Sequence, residues 1–393
     1  MDRFDVIVIG AGPAGSSAAR ETAGAGARTL LVEKCALPRH KTCGGGIPVT
    51  VRPLLDGVDL DGVLEAHVTL MRHTWNHGNA VLGAANAEDD PTDVSLWMVQ
   101  RSVFDHALAR AAAGAGAELR EGVAVREVTA DGAGVTVRGD GLDARASHVI
   151  GADGANGVTA RSAGLRREPA LGIAMEVEAP HRWGDGHPDL RPDVIHLEYG
   201  AVPRGYAWVF PKADHLNIGA GFVRPRGEAR RGAGEALRRA IAGYAAALGV
   251  PFDAERVEFH AHPLPLWTGR EQRNTRDGRI VLAGDAAGLV GPLFGDGIAH
   301  AIRSGHLAGR CVVEGQPAAY TRRLHDQIAR DHDAAARLAG FFYQWPWVAY
   351  RFAIRRPTAT HTAARLLAGE LGYSEVSGRV LRRLRRALAG GEA

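Results

Sequence analysis

The first strong pattern in the chain is an apolar, β-branched run at residues 6–9, followed by a glycine-rich turn and an Ala-rich stretch. A second apolar run follows at residues 29–32. Two buried runs around an Ala-rich segment predict a parallel strand, a helix and a second parallel strand. The chain is therefore expected to open with a βα unit that leads into a neighbouring parallel strand.

The middle of the chain has a different pattern. Residues 168–268 are strand-rich, with one Ala-rich helix near 228–248, and the chain is helical from about residue 318 onward. Between these two regions, an apolar run at residues 280–283 again has the pattern of a buried parallel strand. The two kinds of sheet are therefore predicted to be interleaved along the chain.

These patterns predict an α/β protein in three parts. A Rossmann-type nucleotide-binding domain is interleaved with an antiparallel-sheet domain that would bind the substrate, and a helical region follows. The expected bounds are 1–65 with 99–165 and 270–317 for the first part, 66–98 with 166–269 for the second, and 318–393 for the third.

The turn after the first strand carries a G-x-G-x-x-G fingerprint at Gly10, Gly12 and Gly15. Gly10 permits the tight turn, Gly12 lets the backbone approach a pyrophosphate, and Gly15 lets helix and strand pack closely. The helix N-terminus offers N–H groups to phosphate, and Glu33 follows the second strand, where a carboxylate can accept from a ribose hydroxyl. The sequence therefore predicts binding of an adenine dinucleotide.

Composition and charge narrow the class of protein. The 393 residues are 46% hydrophobic and 23% charged, with a formal net charge of +3. That charge is too small to favour nucleic acid binding, and no apolar stretch reaches the roughly 20 residues of a membrane span. Cys35, Cys43 and Cys311 form no C-x-x-C pair, which suits a reducing compartment, so we expect a cytoplasmic enzyme. No metal site is expected.

A second motif follows the apolar run at residues 280–283. Gly284-Asp285 ends this run, and Gly295 and Gly297 precede a helix that begins at Ile298. A carboxylate at a strand end can hold a hydroxyl group, and the positive end of the helix stabilises negative charge on a ligand.

Together these motifs resemble the FAD-dependent oxidoreductases with the para-hydroxybenzoate hydroxylase fold. Asp153 within Gly151-Ala152-Asp153-Gly154 matches the middle motif of that group, and Arg101 matches its arginine near the flavin. The resemblance implies tightly bound, non-covalent FAD. No second G-x-G-x-x-G follows a strand, so NADPH or NADH would dock transiently as the reductant.

One segment narrows the resemblance further. Tyr206, Trp208 and Phe210 alternate along a strand, so they share one face and form an apolar wall or a packed core. The order Tyr-x-Trp-x-Phe-Pro, seven residues, then Gly-x-Gly is similar to the signature of the geranylgeranyl reductase family. That family also carries Cys-Gly-Gly in an early loop, matched here by Cys43 and the two glycines after it. Asp296 departs from the family, which more usually has glutamate there.

The resemblance implies a set of site residues. Cys43 and Tyr206 are the candidates to donate or relay a proton, although each could instead be a packing residue. Those expected at the cofactor are Gly10, Gly12, Pro13, Ala14, Gly15, Glu33, Lys34, Cys43, Gly44, Gly45, Arg101, Gly284, Asp285, Gly295, Gly297 and Ile298. Those expected at the substrate are Tyr206, Trp208, Phe210, Pro211, Gly219 and Gly221.

The implied activity is the saturation of carbon–carbon double bonds in an isoprenoid chain by an FAD-dependent reductase that uses NAD(P)H. The close alternative is a monooxygenase on the same scaffold that hydroxylates or epoxidises a lipophilic product. A flavin-dependent halogenase and a prenyl-binding carrier without flavin chemistry are less favoured. The sequence does not define which lipophilic molecule is the substrate or whether the protein is oligomeric.

The end of the chain adds two features. Residues 379–388 form a basic amphipathic pattern, which is typical of a solvated helix but could also contact anionic lipid at a membrane surface. Upstream, Trp345, Trp347 and Tyr350 could cap a lipophilic pocket, although packing in the core is the favoured interpretation.

Overall fold

The computed structural model describes residues 1–165, 170–185, 187–224, 232–251, 257–269 and 271–378, so the basic pattern at 379–388 lies outside it. The strands are β1 (Asp2–Ile9), β2 (Thr29–Val32), β3 (Gly46–Pro48), β4 (Leu64–Val68), β5 (Leu70–Trp75), β6 (Gly78–Ala84), β7 (Leu96–Val99), β8 (Glu118–Arg120), β9 (Val125–Asp131), β10 (Gly134–Gly139), β11 (Leu142–Gly151), β12 (Ala170–Pro180), β13 (Val194–Glu198), β14 (Gly205–Pro211), β15 (His215–Arg224), β16 (His260–Leu266) and β17 (Ile280–Leu282).

The α-helices are α1 (Pro13–Gly24), α2 (Arg101–Gly114), α3 (Thr159–Ser162), α4 (Ala233–Ala247), α5 (Ile298–Val313), α6 (Tyr320–Leu324), α7 (His332–Gln344), α8 (Pro346–Ala349) and α9 (Ala359–Ala368). The shorter 3₁₀ turns are Val49–Leu55, Gly284–Ala287 and Pro317–Ala319, and π-helical turns occupy His325–Ala329 and Tyr350–Ile354. None of the helices in the described ranges is long and apolar enough to cross a membrane.

The first sheet contains the predicted opening unit. Its order is β8-β2-β1-β11-β10-β9, and β17 pairs with β11. The strands β8, β2, β1, β11 and β17 are parallel, whereas β9 and β10 add an antiparallel hairpin. Val6, Ile7 and Val8 are at most 1% exposed because helices and the hairpin cover both faces of this part of the sheet. The predicted α/β class with a Rossmann-type domain is confirmed.

The second sheet is built from the strand-rich middle of the chain. Its order is β16-β12-β15-β14-β13-β5-β6, antiparallel except where β13 runs parallel to β5. Helix α4 packs against one face through buried Leu237, Ile241 and Tyr244. The opposite face of β12 and β14 is therefore left for other contacts, which are described below.

A third, three-stranded sheet of order β3-β7-β4 contains residues from both predicted domains. The predicted domain bounds remain an interpretation. Helices α7 to α9 follow the second nucleotide-binding motif, and α9 contacts β6 and β3. The C-terminal helices thus lie against the sheet that carries the predicted aromatic strand.

Candidate active site

The turn between β1 and α1 is as tight as its glycines predict. Gly10 has a φ of +97°, and a Cβ at Gly15 would lie 1.8 Å from the Gly10 carbonyl oxygen. A Cβ at Gly12 would have no neighbour nearer than the Arg39 guanidinium at 3.7 Å, and no described side chain caps α1 there. The first N–H groups of α1 therefore face an open space that suits an anionic ligand.

The carboxylate of Glu33 is 4% exposed and is held by this same turn. Its Oε2 accepts a hydrogen bond of 2.9 Å from the Ala11 N–H, and its Oε1 lies 3.4 Å from Arg39 Nε. Each carboxylate oxygen has further lone pairs, so these contacts orient Glu33 without using all of its acceptor capacity.

The second motif meets the first from the other side. Gly284 adopts a φ of +59°, and a Cβ there would lie 2.9 Å from the Ala14 Cβ. Helix α5 begins after Gly297, with no described side chain capping its N-terminus, and the Asp285 carboxylate lies nearby. Two helix N-termini and two carboxylates thus line one channel, a donor set that fits an adenine dinucleotide.

One cavity of about 1660 Å³ joins these features. Small-molecule sites usually measure roughly 300–1,000 Å³, so this volume accommodates a dinucleotide together with a second ligand. The wall contains all the predicted site residues except Gly15, Pro211 and Gly219. A Cβ at Gly219 would lie 2.1 Å from the Trp208 indole, so this glycine makes room for the aromatic strand.

The Cys-Gly-Gly loop packs directly on the aromatic strand β14. A Cβ at Gly44 would lie 2.7 Å from ring carbons of Phe210 and 3.3 Å from Trp208 Nε1. The ring centroids of Trp208 lie 5.9 Å from Tyr206 and 6.1 Å from Phe210, so the three aromatics form one continuous face. The Cys-Gly-Gly loop and the aromatic strand, which are far apart in sequence, therefore meet in the same wall of the cavity.

A buried carboxyl group lies behind the loop. The N–H of Cys43 donates a hydrogen bond of 2.7 Å to Glu176 Oε1, and Glu176 is 1% exposed. Burial raises the pKa of Glu176, although hydrogen bonds from Asn217 and the Cys43 N–H act in the opposite direction. Arg101 places a buried positive charge and a hydrogen-bond donor beside the Cys43 side chain.

Lys212 binds the Cys-Gly-Gly loop to the end of β7. Its buried Nζ donates hydrogen bonds of 2.9 Å to the Gly44 carbonyl and 2.7 Å to the Val99 carbonyl. Burial lowers the pKa of Lys212 to about 8. Gly45 adopts a φ of +75°, and a Cβ there would lie 2.1 Å from the Val99 carbonyl oxygen. The loop is thus held in one conformation between β7 and β14.

Tyr206 occupies the other end of the aromatic face. Its hydroxyl donates a hydrogen bond to the carbonyl of Phe294, which belongs to the loop before α5. Burial raises the pKa of the Tyr206 hydroxyl. This contact ties the second sheet to the Gly295–Gly297 loop, and it engages the proton that a donor would have to release.

The cavity continues into the C-terminal helices, where sequence reasoning was only partly right. Tyr350 is 0% exposed, as core packing predicts, and its hydroxyl donates to the Asn79 carbonyl. Trp345 and Trp347 are 48% and 45% exposed, so the core interpretation was wrong for both. They follow Gln344 at the end of α7, where the helix turns at Pro346 and leaves both rings outside the core. Trp345 lines the cavity.

Comparison with known proteins identifies the family. The FAD binding domain model matches residues 3–334. A digeranylgeranylglycerophospholipid reductase from Methanopyrus kandleri is 33% identical over 79% of this chain and 80% of its own length. The chain belongs to the geranylgeranyl reductase family of FAD-dependent oxidoreductases.

Two further proteins are similar to this chain over most of its length. A menaquinone reductase from Mycolicibacterium smegmatis is 31% identical over 86% of this chain and 84% of its own length. A solved geranylgeranyl bacteriochlorophyll reductase-like protein from Thermoplasma acidophilum superposes with a TM-score of 0.79 over 97% of this chain and 99% of its own, at 23% identity. The latter likeness shows that the two proteins share a fold.

Two polar residues of this family member were missed by sequence reasoning. Glu176 lies on β12, in the region expected to be strand-rich, and Lys212 directly follows β14; a charged residue at a buried position there breaks the apolar pattern. A buried carboxylate or ammonium requires a partner, so this break is the signal that could have drawn attention to them. Their partners at Cys43 and Gly44 were not recognisable, because each contact joins distant parts of the chain.

Proposed function

We propose that this protein reduces carbon–carbon double bonds in the prenyl chain of a lipophilic substrate, with NADPH or NADH as the electron donor. The observation that carries the proposal is the Cys43–Gly45 loop packed on the aromatic face of β14, in a cavity with an apolar extension. The names of the related reductases, which act on prenyl lipids or menaquinone, support the same substrate class.

The nucleotide end of the cavity would hold FAD. The N-termini of α1 and α5 would bind its phosphates or stabilise negative charge on it, and Glu33 and Asp285 would accept from its hydroxyl groups. When bound, FAD supplies the two-electron redox chemistry that the reaction needs. NAD(P)H would approach the cavity transiently.

Saturation of one double bond also requires a proton on carbon, and we assign its delivery to Cys43. The thiol lies in the cavity wall beside Arg101, and Glu176 is held 2.7 Å from the Cys43 N–H. Because burial raises the pKa of Glu176, its neutral form can hold a proton for transfer to the cysteine or the substrate. The proton leaves the acid, and the electron pair of the double bond forms the new C–H bond.

The aromatic face has a complementary role. Protonation of an alkene develops positive charge on the neighbouring carbon, and the faces of Tyr206, Trp208 and Phe210 attract such charge. The same rings exclude water from the reacting carbons. Since the Tyr206 hydroxyl donates to Phe294, we assign Tyr206 to this wall and to positioning rather than to proton donation.

Oxygen consumption tests the proposal against the monooxygenase alternative. The FAD-loaded protein is mixed with NADPH and prenyl substrates in air, while oxygen uptake, NADPH oxidation and alkene loss are followed together. The reductase predicts alkene loss in proportion to NADPH. Oxygen uptake matched to NADPH, with the alkene unchanged or oxygenated, would overturn it.

A further inference from the structure

An exposed aromatic surface surrounds the C-terminal end of the cavity. Trp345, Trp347 and Phe352 are 48%, 45% and 57% exposed, respectively. Trp347 rests on the ring of Trp75, with 5.1 Å between the ring centroids, so the exposed indole is supported from beneath. Large apolar side chains clustered at a surface mark a binding region more often than an ordinary solvated one.

The formal charges that flank these aromatics along the sequence are all positive. The sequence contains no Asp or Glu between Asp333 and Glu370, whereas it contains five arginines there. Arg351, Arg355 and Arg356 are exposed within six residues of one another, beside Phe352. These three arginines and the exposed rings favour a partner that is negatively charged and accepts aromatic side chains.

The same surface is an opening of the cavity. Trp345, Phe352 and Arg356 are exposed and also line the cavity wall. Deeper in the wall, α7 and α9 present apolar side chains such as Phe341, Leu366 and Leu367. A path with apolar walls thus leads from the exposed aromatics toward Tyr206 and Trp208.

We propose that the face formed by Trp345, Trp347, Phe352, Arg351, Arg355 and Arg356 docks on an anionic lipid bilayer, so that the cavity opens toward the lipid. Tryptophan is enriched at membrane–water interfaces, and arginine is attracted by anionic headgroups. Docking would let a lipophilic chain pass from the bilayer into the cavity without crossing water. This goes beyond the proposed reaction, because it concerns where the substrate is met.

Vesicle flotation tests the docking with the FAD-loaded full chain. Vesicles of phosphatidylcholine with phosphatidylglycerol are compared with vesicles of phosphatidylcholine alone. The wild type should float with the anionic vesicles, and binding should weaken as salt is raised. Since each arginine near an anionic surface contributes about fivefold in affinity, Arg351→Glu/Arg355→Glu should weaken binding about 25-fold or more.

The matched control is Arg3→Glu/Arg110→Glu, which makes the same change in net charge at exposed positions outside this face. This control should float within about twofold of the wild type. Equal losses in both double variants would show that only net charge matters and would overturn the proposal. Phe352→Ser should weaken binding to both kinds of vesicle, because it removes apolar contact rather than charge.

Two other occupants of the face give different results. If a second copy of the chain covers it, light scattering will show a dimer that Arg351→Glu/Arg355→Glu dissociates, with no vesicle binding. If the basic tail is the lipid contact, replacing arginines 379, 382, 383, 385 and 386 with serine will abolish flotation while the face variants retain it. Either result overturns the proposal. Flotation requires no turnover, so it is independent of the proposed reductase activity.

Discussion

The backbone N–H of Cys43 donates a hydrogen bond of 2.7 Å to Oε1 of Glu176, across 133 residues of sequence. This bond joins the loop after β2 to strand β12, which lies next to the edge strand β16 of the second sheet. It places a buried acid, whose pKa is raised by burial, directly behind the loop that faces the substrate end of the cavity. The proposed proton delivery depends on this pair.

Glu176→Gln removes the exchangeable carboxyl proton and keeps the size of the side chain. We expect turnover to fall by about 10²–10⁴-fold, the usual contribution of general acid catalysis, while FAD content and reduction of the bound flavin by NADPH stay unchanged. The control is Glu178→Gln, on the same face of β12 but bonded to Gln100. Wild-type turnover in Glu176→Gln would exclude a role for this carboxyl group in proton delivery.

The pH dependence should report the same group. The pKa of Glu176 is raised, so its protonated form persists to higher pH than that of an exposed glutamate. Turnover should fall as the pH rises through this raised pKa, because the proton is then lost. The residual turnover of Glu176→Gln should not show this decrease with rising pH. If the variant shows the same decrease in turnover with rising pH, the titration belongs to another group.

Cys43→Ser tests the thiol with little change in size. If Cys43 delivers the proton, turnover should fall by about 10²–10⁴-fold, since a hydroxyl is a much weaker acid than a thiol. Cys35→Ser changes another cysteine in the cavity wall and should retain activity. Full activity of both Cys43→Ser and Cys43→Ala would mean that this residue only fills space.

Tyr206→Phe distinguishes a wall residue from a proton donor. The substitution removes the hydrogen bond to Phe294 but keeps the ring in the aromatic face. A loss of about 0.5–1.5 kcal/mol in stability and a change of only a few fold in kcat are expected. A loss of turnover as large as that in Cys43→Ser would return the proton-donor role to Tyr206.

Gly44→Ala tests the contact between the loop and β14. The added methyl group would lie 2.7 Å from the Phe210 ring, so we expect a cost of about 1–3 kcal/mol in stability, measured by chemical denaturation, and weaker substrate binding. Gly46→Ala is the control, because its Cβ would lie 3.4 Å from flexible Met98 Cε. Equal effects of the two substitutions would contradict the close packing described.

The opening unit of the fold could be predicted because its signals are local. The apolar runs of β1 and β2 and the glycines between them are adjacent in sequence, and each has one dominant physical explanation. The same holds for the alternation of Tyr206, Trp208 and Phe210, whose shared face follows from strand geometry alone.

The polar contacts of the site and the exposure of the C-terminal tryptophans could not be predicted, because no local pattern specifies them. Lys212 reaches Gly44 across 168 residues, and Glu176 reaches Cys43 across 133. Trp345 and Trp347 are large aromatic residues of the kind that often lie in a core. The turn at Pro346 leaves them at the surface. Burial is a property of the assembled fold, so aromatic content alone could not distinguish a core from a cavity mouth.

Anaerobic single turnover tests the central claim most directly. The FAD-loaded protein is reduced without oxygen, excess reductant is removed, and candidate prenyl diphosphates, prenyl glycerolipids and menaquinones are added in turn while the flavin absorbance is followed. The account predicts that at least one of these alkenes reoxidises the flavin and that its mass increases by two hydrogens. Reoxidation by oxygen alone, with every alkene unchanged, would contradict it.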